Sequence, residues 1–414
     1  MSICPAEYWI WLQTALGAGA RVDELLAYFG DPEKLYNAGS NEWRLSGLLT
    51  ARKIEALKST SPSQTAAVFN ECRKKGYNII TPGSEYYPER LLSLADMPLV
   101  LYAAGDASAL KDTLSIGIVG TRGASSYGIE TAQKLSFALA SCGVTVISGG
   151  ALGIDSEAHA GAMLAKGRTV AVLGCGLSVD YLKENAALRR AIARHGAVVS
   201  EYQPFTGATR TTFPIRNRLI SGMSLGIVVV EAGIKSGSLI TADRALEQGR
   251  DVFAVPGDIV RSSFGGTNHL IQNGAKPVFG AEDILNEYEY RYAELIDFEK
   301  IKPLTELPYT DYRHSAGKSA KTANAGVGSS PAENVQKESA PQAAKEKPPV
   351  RRDLSDEVSE EAVKVYAVLG AEPTHIDDIA RKADLKMNVV LRSLTELEIA
   401  GAVELKSGKN YVII

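Results

Sequence analysis

Three glycine-rich turns, each following a short apolar run, constrain the fold of this chain more than any other feature. The runs begin at Ser115, Val144 and Thr169, and the turns that follow them read GTRG, SGGALGID and GCGLSVD. A short apolar run that ends at glycine is typical of a strand buried on both faces of a parallel sheet. The repeated order of strand, turn and helix therefore predicts a Rossmann-like, doubly wound α/β domain with a mostly parallel sheet.

The ligand site of such a fold lies outside the carboxyl ends of the strands, where these turns lie. Strand-end glycines allow a phosphate to approach the backbone, and the following helix N-terminus offers free N–H groups. We therefore expect a phosphate-carrying ligand near Gly120, Thr121 and Arg122, and near Gly149 and Gly150. The turns lack both the dinucleotide fingerprint and the P-loop Lys-Ser/Thr pair, so neither a dinucleotide cofactor nor ATP hydrolysis is indicated.

The segment FPIRNR, residues 213–218, combines an aromatic ring with two cations at the start of a predicted helix. Phe213 can stack on a base, and Arg216, Arg218 and the preceding loop residue Arg210 can bind phosphates. This combination is the pattern of single-strand binding. The two helical arginines are two positions apart and point to different sides, which leaves open that only one faces the ligand. In the alternative interpretation, Phe213 is core and the arginines form a solvated helix face.

A second helix start follows the strand that ends near Glu231. Its residues Ser236, Gly237 and Ser238 can present hydroxyl and N–H groups to an anion, with Lys235 at the mouth. Glu231 could act as a general acid or base, or it could anchor neighbouring arginines; the anchor is favoured.

Asp155 and His159 lie four residues apart on one predicted helix and could form an acid–base pair. No nucleophile is evident nearby in the sequence. We therefore favour a helix cap as the role of Asp155.

Other modules flank the sheet domain, which is expected over residues 65–290. Residues 1–64 form a predicted helical domain whose LGAGA turn resembles a helix–hairpin–helix, although a packing domain that touches no nucleic acid is favoured. Residues 291–353 are predicted to be a disordered linker, because almost no large apolar residue occurs after about Tyr312. Residues 354–414 are typical of a winged helix, with three helices and a two-stranded hairpin.

The net charge of the chain is -3, so any nucleic-acid contact must be a local patch. From Asp353 onward the winged helix carries twelve acidic and seven basic residues. This excess favours a protein contact, or a weak DNA contact, at least as much as duplex recognition. The sequence has no apolar run near the roughly 20 residues of a membrane span and no convincing signal peptide, so we expect a cytoplasmic protein without membrane contact.

Five motifs in order resemble the DprA/Smf family of DNA-processing proteins: GIVGTR, SGGALGIDSEAHAGA, FPIRNRLISG, EAGIKSGSLITADRALEQGRDVFAVPG and GTNHLIQNGA. The resemblance spans roughly residues 86–284. It implies a homodimer that binds single-stranded DNA and loads the RecA recombinase onto incoming DNA in natural transformation. No catalytic residue, metal or cofactor is expected. By motif, the resemblance implies a DNA pocket lined by Arg122, Phe213, Arg216, Asn217, Arg218, Lys235, Ser236 and Gly237.

A nucleotide-hydrolysing enzyme of the phosphoribohydrolase-like Rossmann class is the alternative function, because such enzymes use a glycine-rich phosphate loop with a Glu. The corresponding stretch here, EAGIKSGS, lacks their consecutive P-G-G-x-G-T, which favours a binding protein. One departure from the DprA/Smf pattern is Leu182, where that family usually has Pro. A looser turn is expected there.

Overall fold

The computed structural model describes residues 5–61, 65–310, 358–370, 373–385, 387–406 and 410–413. The chain divides into two compact units, Met1–Thr322 and Ala323–Ile414. Within the described ranges, no helix is both long enough and apolar enough to cross a membrane.

Five helices open the first unit: α1 (Pro5–Leu16), α2 (Asp23–Phe29), α3 (Pro32–Leu45), α4 (Ala51–Ser59) and α5 (Ala66–Lys75). Their apolar faces share one core, in which Trp11, Leu35 and Leu57 pack with Tyr102 of the sheet. Cys72 of α5 belongs to the same core. The helical part therefore continues past residue 64 and rests directly on the sheet.

Nine strands among the described residues form one sheet: β1 (Asn78–Ile80), β2 (Leu101–Gly105), β3 (Ser115–Val119), β4 (Thr145–Ser148), β5 (Thr169–Leu173), β6 (Gly196–Ser200), β7 (Gly226–Val229), β8 (Asp251–Ala254) and β9 (Lys276–Pro277). Their spatial order is β1-β2-β6-β5-β4-β3-β7-β8-β9. From β6 to β9 in this order every pair is parallel, while β2 pairs antiparallel with β1 and β6. The apolar runs of β3 and β5 are buried along their whole length. The prediction of a mostly parallel sheet is confirmed.

Helices cover both faces of this sheet: α6 (Ser126–Ser141), α7 (Ile154–Leu164), α8 (Ala186–His195), α9 (Thr212–Met223), α10 (Gly237–Glu247), α11 (Gly265–Gln272), α12 (Ala281–Leu285) and α13 (Glu289–Tyr292). Residues of α6, α7 and α12 form one core with the strands, and residues of α9 and α10 form another. The sheet is thus wound on both sides.

The direction of winding reverses beside β3. From β3 the chain steps through β4 and β5 to β6, and it then returns to the other side of β3 as β7 and continues to β8 and β9. β3 and β7 lie side by side, with Val119 paired with Val229. The carboxyl ends of these two strands form the switch point where doubly wound sheets bind ligands.

Two features of this unit differ from the predictions. The segment PLVLYAAG, whose strand-like pattern predicts a strand at the sheet edge, is β2, and the edge is the three-residue β1, which is too short to give a periodic signal. Residues 291–310, predicted as the start of the linker, pack on the sheet domain instead. Ile296 and Leu307 are buried in the core that contains α6, and the Thr310 amide donates to Gln133 Oε1 at 2.8 Å. The rest of the predicted linker lies outside the described residues.

The second unit contains helices and short strands: α14 (Glu360–Val368), β10 (Thr374–His375), α15 (Ile376–Ala383), α16 (Met387–Ile399), β11 (Val403–Lys406) and β12 (Asn410–Ile413). All three helices contribute to one buried core, for example through Ala362, Ile379 and Leu394. The strands are ordered β10-β12-β11, so the predicted hairpin has a third strand. This is the winged-helix arrangement. The Ser-Gly pair at 407–408, which predicts the tip of the hairpin, lies outside the described residues.

Candidate nucleic-acid interface

A cavity of about 380 Å³ opens at the switch point between β3 and β7. Its walls come from the loop after β3, the loop before α7, helix α9 and the N-terminus of α10. Motifs that are far apart in the sequence meet here, because parallel strands end at the same edge of the sheet. The predicted site residues that line the cavity are Gly120, Thr121, Arg122, Phe213, Arg216, Asn217, Ser236, Gly237 and Ser238.

The Arg122 guanidinium is an exposed cation at the wall of this cavity. Its Cζ lies 5.2 Å from the centroid of the Phe213 ring. Among the described residues, no carboxylate lies within ion-pair distance of it and no group hydrogen-bonds to it, while the Asp155 carboxylate interacts with it electrostatically over a longer distance. A guanidinium held over an aromatic face keeps its N–H donors free for phosphate oxygens.

The half-buried ring of Phe213 lies at the centre of an aromatic and cationic cluster. The Cζ atom of Arg216 lies 5.9 Å from its centroid, and the Tyr181 ring centroid lies 5.4 Å away at an interplanar angle of 44°. An aromatic ring flanked by cations at a cavity wall is the arrangement on which a nucleic-acid base can stack.

Arg216 lines the cavity although only 4% of it is exposed. Its Nη1 donates to the Gly149 carbonyl at 2.7 Å and also to the Val172 carbonyl. Burial lowers the pKa of this guanidinium, and the nearby Asp155 carboxylate opposes the shift. Because an arginine side chain stays protonated in proteins, Arg216 supplies a fixed positive charge to the wall.

Two predicted glycines make room for side chains of the protein itself. A Cβ atom on Gly149 would lie 2.6 Å from Asp155 Oδ2 and closer still to Arg216 Nη1. A Cβ atom on Gly120 would lie 2.5 Å from Ile154 Cγ1. The sequence predicts that these glycines let a ligand approach the backbone. In the structure, glycine is needed at both positions because a larger residue would clash with neighbouring side chains.

The N-terminus of α10 faces the cavity. Ser236 caps this helix: its Oγ accepts from the Ser238 amide at 3.4 Å and lies 2.8 Å from Ser238 Oγ. The first turn contains no acidic residue, so the positive end of the helix dipole is not neutralised by its own side chains. Among the described residues, no atom outside its chain neighbours and its own helix backbone lies within 4 Å of the place where a Cβ of Gly237 would be, so a ligand has room to approach the backbone. Asn217 Nδ2 donates to the Gly237 carbonyl at 3.3 Å and joins α9 to α10.

Four predicted site residues besides Arg218 do not line the cavity. Arg210 and Lys235 are exposed in the loops that precede α9 and α10. Gly149 and Gly150 support the wall, since their carbonyls accept hydrogen bonds from Arg216 and from Asn185, the latter at 3.1 Å.

Arg218 is the residue whose position differs most clearly from the prediction that it lines the cavity. It is 2% exposed, and its Nη2 donates to both Oε1 and Oε2 of Glu201 at 2.7 Å. Its Nε lies 3.3 Å from Asp96 Oδ2. Side chains two positions apart on a helix point in different directions, so only Arg216 of the pair reaches the cavity.

Glu231 and Asp155 differ in detail from the roles favoured above. Glu231 is an anchor, but its Oε2 accepts from the backbone amide and hydroxyl of Ser125, at 3.0 and 2.7 Å, and not from an arginine. Asp155 does not cap α7; its Oδ2 accepts from the Ala151 amide at 3.3 Å. Burial raises the pKa of Asp155, and Arg216 opposes this shift.

The turn after β5 contributes a residue that the sequence did not reveal. Tyr181 contacts the Phe213 ring. Its position directly after the third glycine-rich turn was the one feature of the sequence that could have indicated this contact. The neighbouring Leu182 adopts a φ of +48°, which Pro cannot reach. Its carbonyl accepts from the Asn185 amide at 2.9 Å and from Arg189 Nη1 at 3.0 Å. Hydrogen bonds therefore hold this turn, which the sequence predicts to be loose.

The strand order and the cationic cavity at the switch point define a Rossmann-like protein. A family model described as DNA recombination-mediator protein A matches residues 78–289, and one described as DprA winged helix domain matches residues 339–409. The first match alone covers half of the chain. The chain belongs to this DprA/Smf family of DNA-processing proteins.

Individual relatives agree with this membership. The chain is 45% identical over 219 residues to the DNA processing protein DprA of Bacillus subtilis (strain 168), a match that covers 53% of this chain and 74% of the relative. It is 42% identical over 204 residues to DprA of Streptococcus pneumoniae, which covers 49% and 72% of the two chains. The X-ray structure of DprA from Streptococcus pneumoniae superposes with a TM-score of 0.61 at 33% identity, covering 69% of this chain and 99% of that one.

Proposed function

We propose that this protein binds single-stranded DNA in the switch-point cavity and loads the RecA recombinase onto incoming DNA in natural transformation. One observation carries the proposal: the exposed and unpaired Arg122 lies over the Phe213 ring at the wall of the cavity. Phosphates would bind Arg122 and the N-terminus of α10, and a base would stack on Phe213. The family description as a recombination mediator supports the same reading.

We further propose that the cavity binds its ligand without cleaving it. Among the described residues that line it, the one carboxylate is Asp155, whose Oδ2 accepts from the Ala151 amide and which interacts with Arg216, so it is engaged by the protein and not by a lining hydroxyl group. Glu231 is engaged with Ser125, as described above. The protein is proposed to act as a homodimer in the cytoplasm, where its recombinase partner would meet the incoming strand; the homodimer rests on the family resemblance, and the location rests on the expectation from the sequence.

The test replaces Arg122 by Ala and measures the affinity of the full chain for a fluorescent oligo-dT by anisotropy. Arg122→Ala should bind about tenfold more weakly, and its salt slope should fall by about one, because one phosphate contact is lost. The matched control is Arg194→Ala, which removes an exposed arginine from α8, outside the cavity lining. The control should bind like the wild type.

Two results would contradict the proposal. One is an unchanged affinity of Arg122→Ala for the single strand, together with equal binding of a duplex. The other is release of free base from a nucleoside monophosphate by the wild-type protein, which would favour the nucleotide-hydrolysing alternative. Recombinase loading is tested separately, by measuring RecA filament formation on single strands with and without the protein.

A further inference from the structure

Helix α9 is shared between the cavity and the N-terminal helices. Phe213, Arg216 and Asn217 lie on the cavity face. Ile215 and Arg218, three positions apart and therefore on a common face, lie against the turn between α1 and α2. Any displacement of one face moves the other, because a helix of this length is a rigid body.

The turn between α1 and α2 contacts α9 and the end of β6 directly. The Gly19 amide donates to Glu201 Oε1 at 3.3 Å, and Gln13 Nε2 donates to the Glu201 carbonyl. A Cβ atom on Gly19 would lie 2.9 Å from Ile215 Cγ2 and 3.6 Å from Arg218 Nε. The contact is therefore too close for any residue larger than glycine at position 19.

A buried ion pair completes this junction. The side chains of Arg218 and Glu201 are 3% and 2% exposed, and both carboxylate oxygens accept from Arg218 Nη2 at 2.7 Å. Asp96 adds a second carboxylate, and its neighbour Ala95 accepts from the Val22 amide at 3.1 Å. A buried pair of this kind is a weak source of stability, but the charge-assisted hydrogen bonds from Arg218 Nη2 to both carboxylate oxygens constrain the orientation of the helix that carries Arg218.

We infer that the glycine turn of the N-terminal helices is a positioning element for the DNA cavity. Through Gly19, Glu201 and Arg218 it holds α9 in the orientation that brings Phe213 and Arg216 to the ligand. The inference rests on the proposed function for the nature of that ligand. It assigns the turn an indirect role, because the Gly19 amide, which a helix–hairpin–helix would offer to a phosphate, is bound to Glu201.

The turn offers a matched pair of variants, Gly19→Ala and Gly17→Ala. Both glycines have positive φ, +75° and +84°, so alanine is similarly strained at either position. A Cβ on Gly17 would meet no atom within 4 Å, whereas a Cβ on Gly19 would press on Ile215. In the full chain, we expect Gly19→Ala to weaken oligo-dT binding about fivefold, a typical size for coupling between two sites. Gly17→Ala should bind like the wild type, although its backbone strain also lowers thermal stability.

A second variant and a second measurement keep the inference testable if Gly19→Ala folds poorly. Glu201→Gln preserves the side-chain shape and an acceptor for Gly19 but removes the charge opposite Arg218. Backbone hydrogen exchange in α9, measured without DNA, should accelerate in Gly19→Ala and Glu201→Gln and stay unchanged in Gly17→Ala and Arg194→Ala. This readout needs no ligand, so it remains decisive even if the wild type fails to bind single strands and the proposed function falls.

Equal weakening of DNA binding by Gly17→Ala and Gly19→Ala would overturn the inference in favour of direct contact between the turn and DNA. Unchanged binding and unchanged exchange of α9 in both Gly19→Ala and Glu201→Gln would overturn it as well, because the junction would then not influence the helix.

Discussion

The two faces of helix α9 carry the same residue type and use it in different ways. On the cavity face, Arg216 donates to backbone carbonyls. Among the described residues that line the cavity, Arg122 and Arg216 are the two cations and Asp155 is the one carboxylate. On the other face, Arg218 is bound by Glu201 and approached by Asp96. A cation is available to a ligand where the protein does not neutralise it. The groups that contact each arginine, and not its place in the motif, therefore distinguish an arginine that is available to a ligand from one that is held by the protein.

The largest expected effect concerns the face of α9 that carries Arg218. Arg218→Ala leaves the Glu201 carboxylate buried without its bidentate partner, which should cost about 3–5 kcal/mol in the free energy of unfolding. Arg122→Ala removes an exposed arginine without an ion pair and should change stability by less than about 0.5 kcal/mol. Urea denaturation of the two variants measures both values. Similar losses of unfolding free energy in the two variants would contradict the distinction between an arginine held by the protein and one available to a ligand.

The next effect tests the cavity face. Phe213→Leu keeps an apolar side chain but removes the ring on which a base is proposed to stack. Single-strand affinity should fall by about 1–3 kcal/mol, the usual contribution of one base–aromatic stack. Phe205→Leu is the matched control, because that ring is 60% exposed in the preceding loop and does not line the cavity. Titration of labelled oligo-dT against both variants measures the difference, and equal affinities would show that Phe213 only packs against Tyr181 and Arg122.

Local patterns were sufficient for most of the sheet domain. An apolar run that ends at glycine marks a buried parallel strand through residues adjacent in sequence, and β3, β4 and β5 were found where these runs predict them. The strand-end rule then placed Arg122 and Ser236 at a common cavity, because topology alone brings the ends of β3 and β7 together.

The features that sequence could not supply depend on distant partners. Glu201 lies 17 residues before Arg218, and Gly19 lies 182 residues before Glu201, so no window of sequence shows that the three meet. The composition of residues 291–310 likewise does not reveal that Ile296 and Leu307 find an apolar surface on the sheet domain. Long-range pairing, and not local propensity, decided each of these cases.

His159 extends the comparison to a buried group that has no ion pair. Its side chain is fully buried on α7, and Nδ1 lies 2.7 Å from Thr169 Oγ1, which itself donates to the Val146 carbonyl at 2.8 Å. Burial, reinforced by Arg216, lowers the pKa of His159 to about 3. The unfolded chain therefore binds one more proton than the folded protein between about pH 3 and the unfolded pKa of about 6.5, so stability falls as the pH is lowered through this window.

His159→Asn retains an N–H group for Thr169 and removes the titration. From about pH 7 to about pH 5.5, the wild type should lose about 1 kcal/mol of unfolding free energy relative to this variant, because His159 must stay neutral where the unfolded imidazole gains a proton. Urea denaturation at several pH values measures the two curves. Parallel curves would mean that His159 titrates in the folded protein with the same pKa as in the unfolded chain, and at acidic pH Arg216 would then lie beside a second cation. The two faces of α9 would in that case differ in more than the carboxylates that each arginine meets.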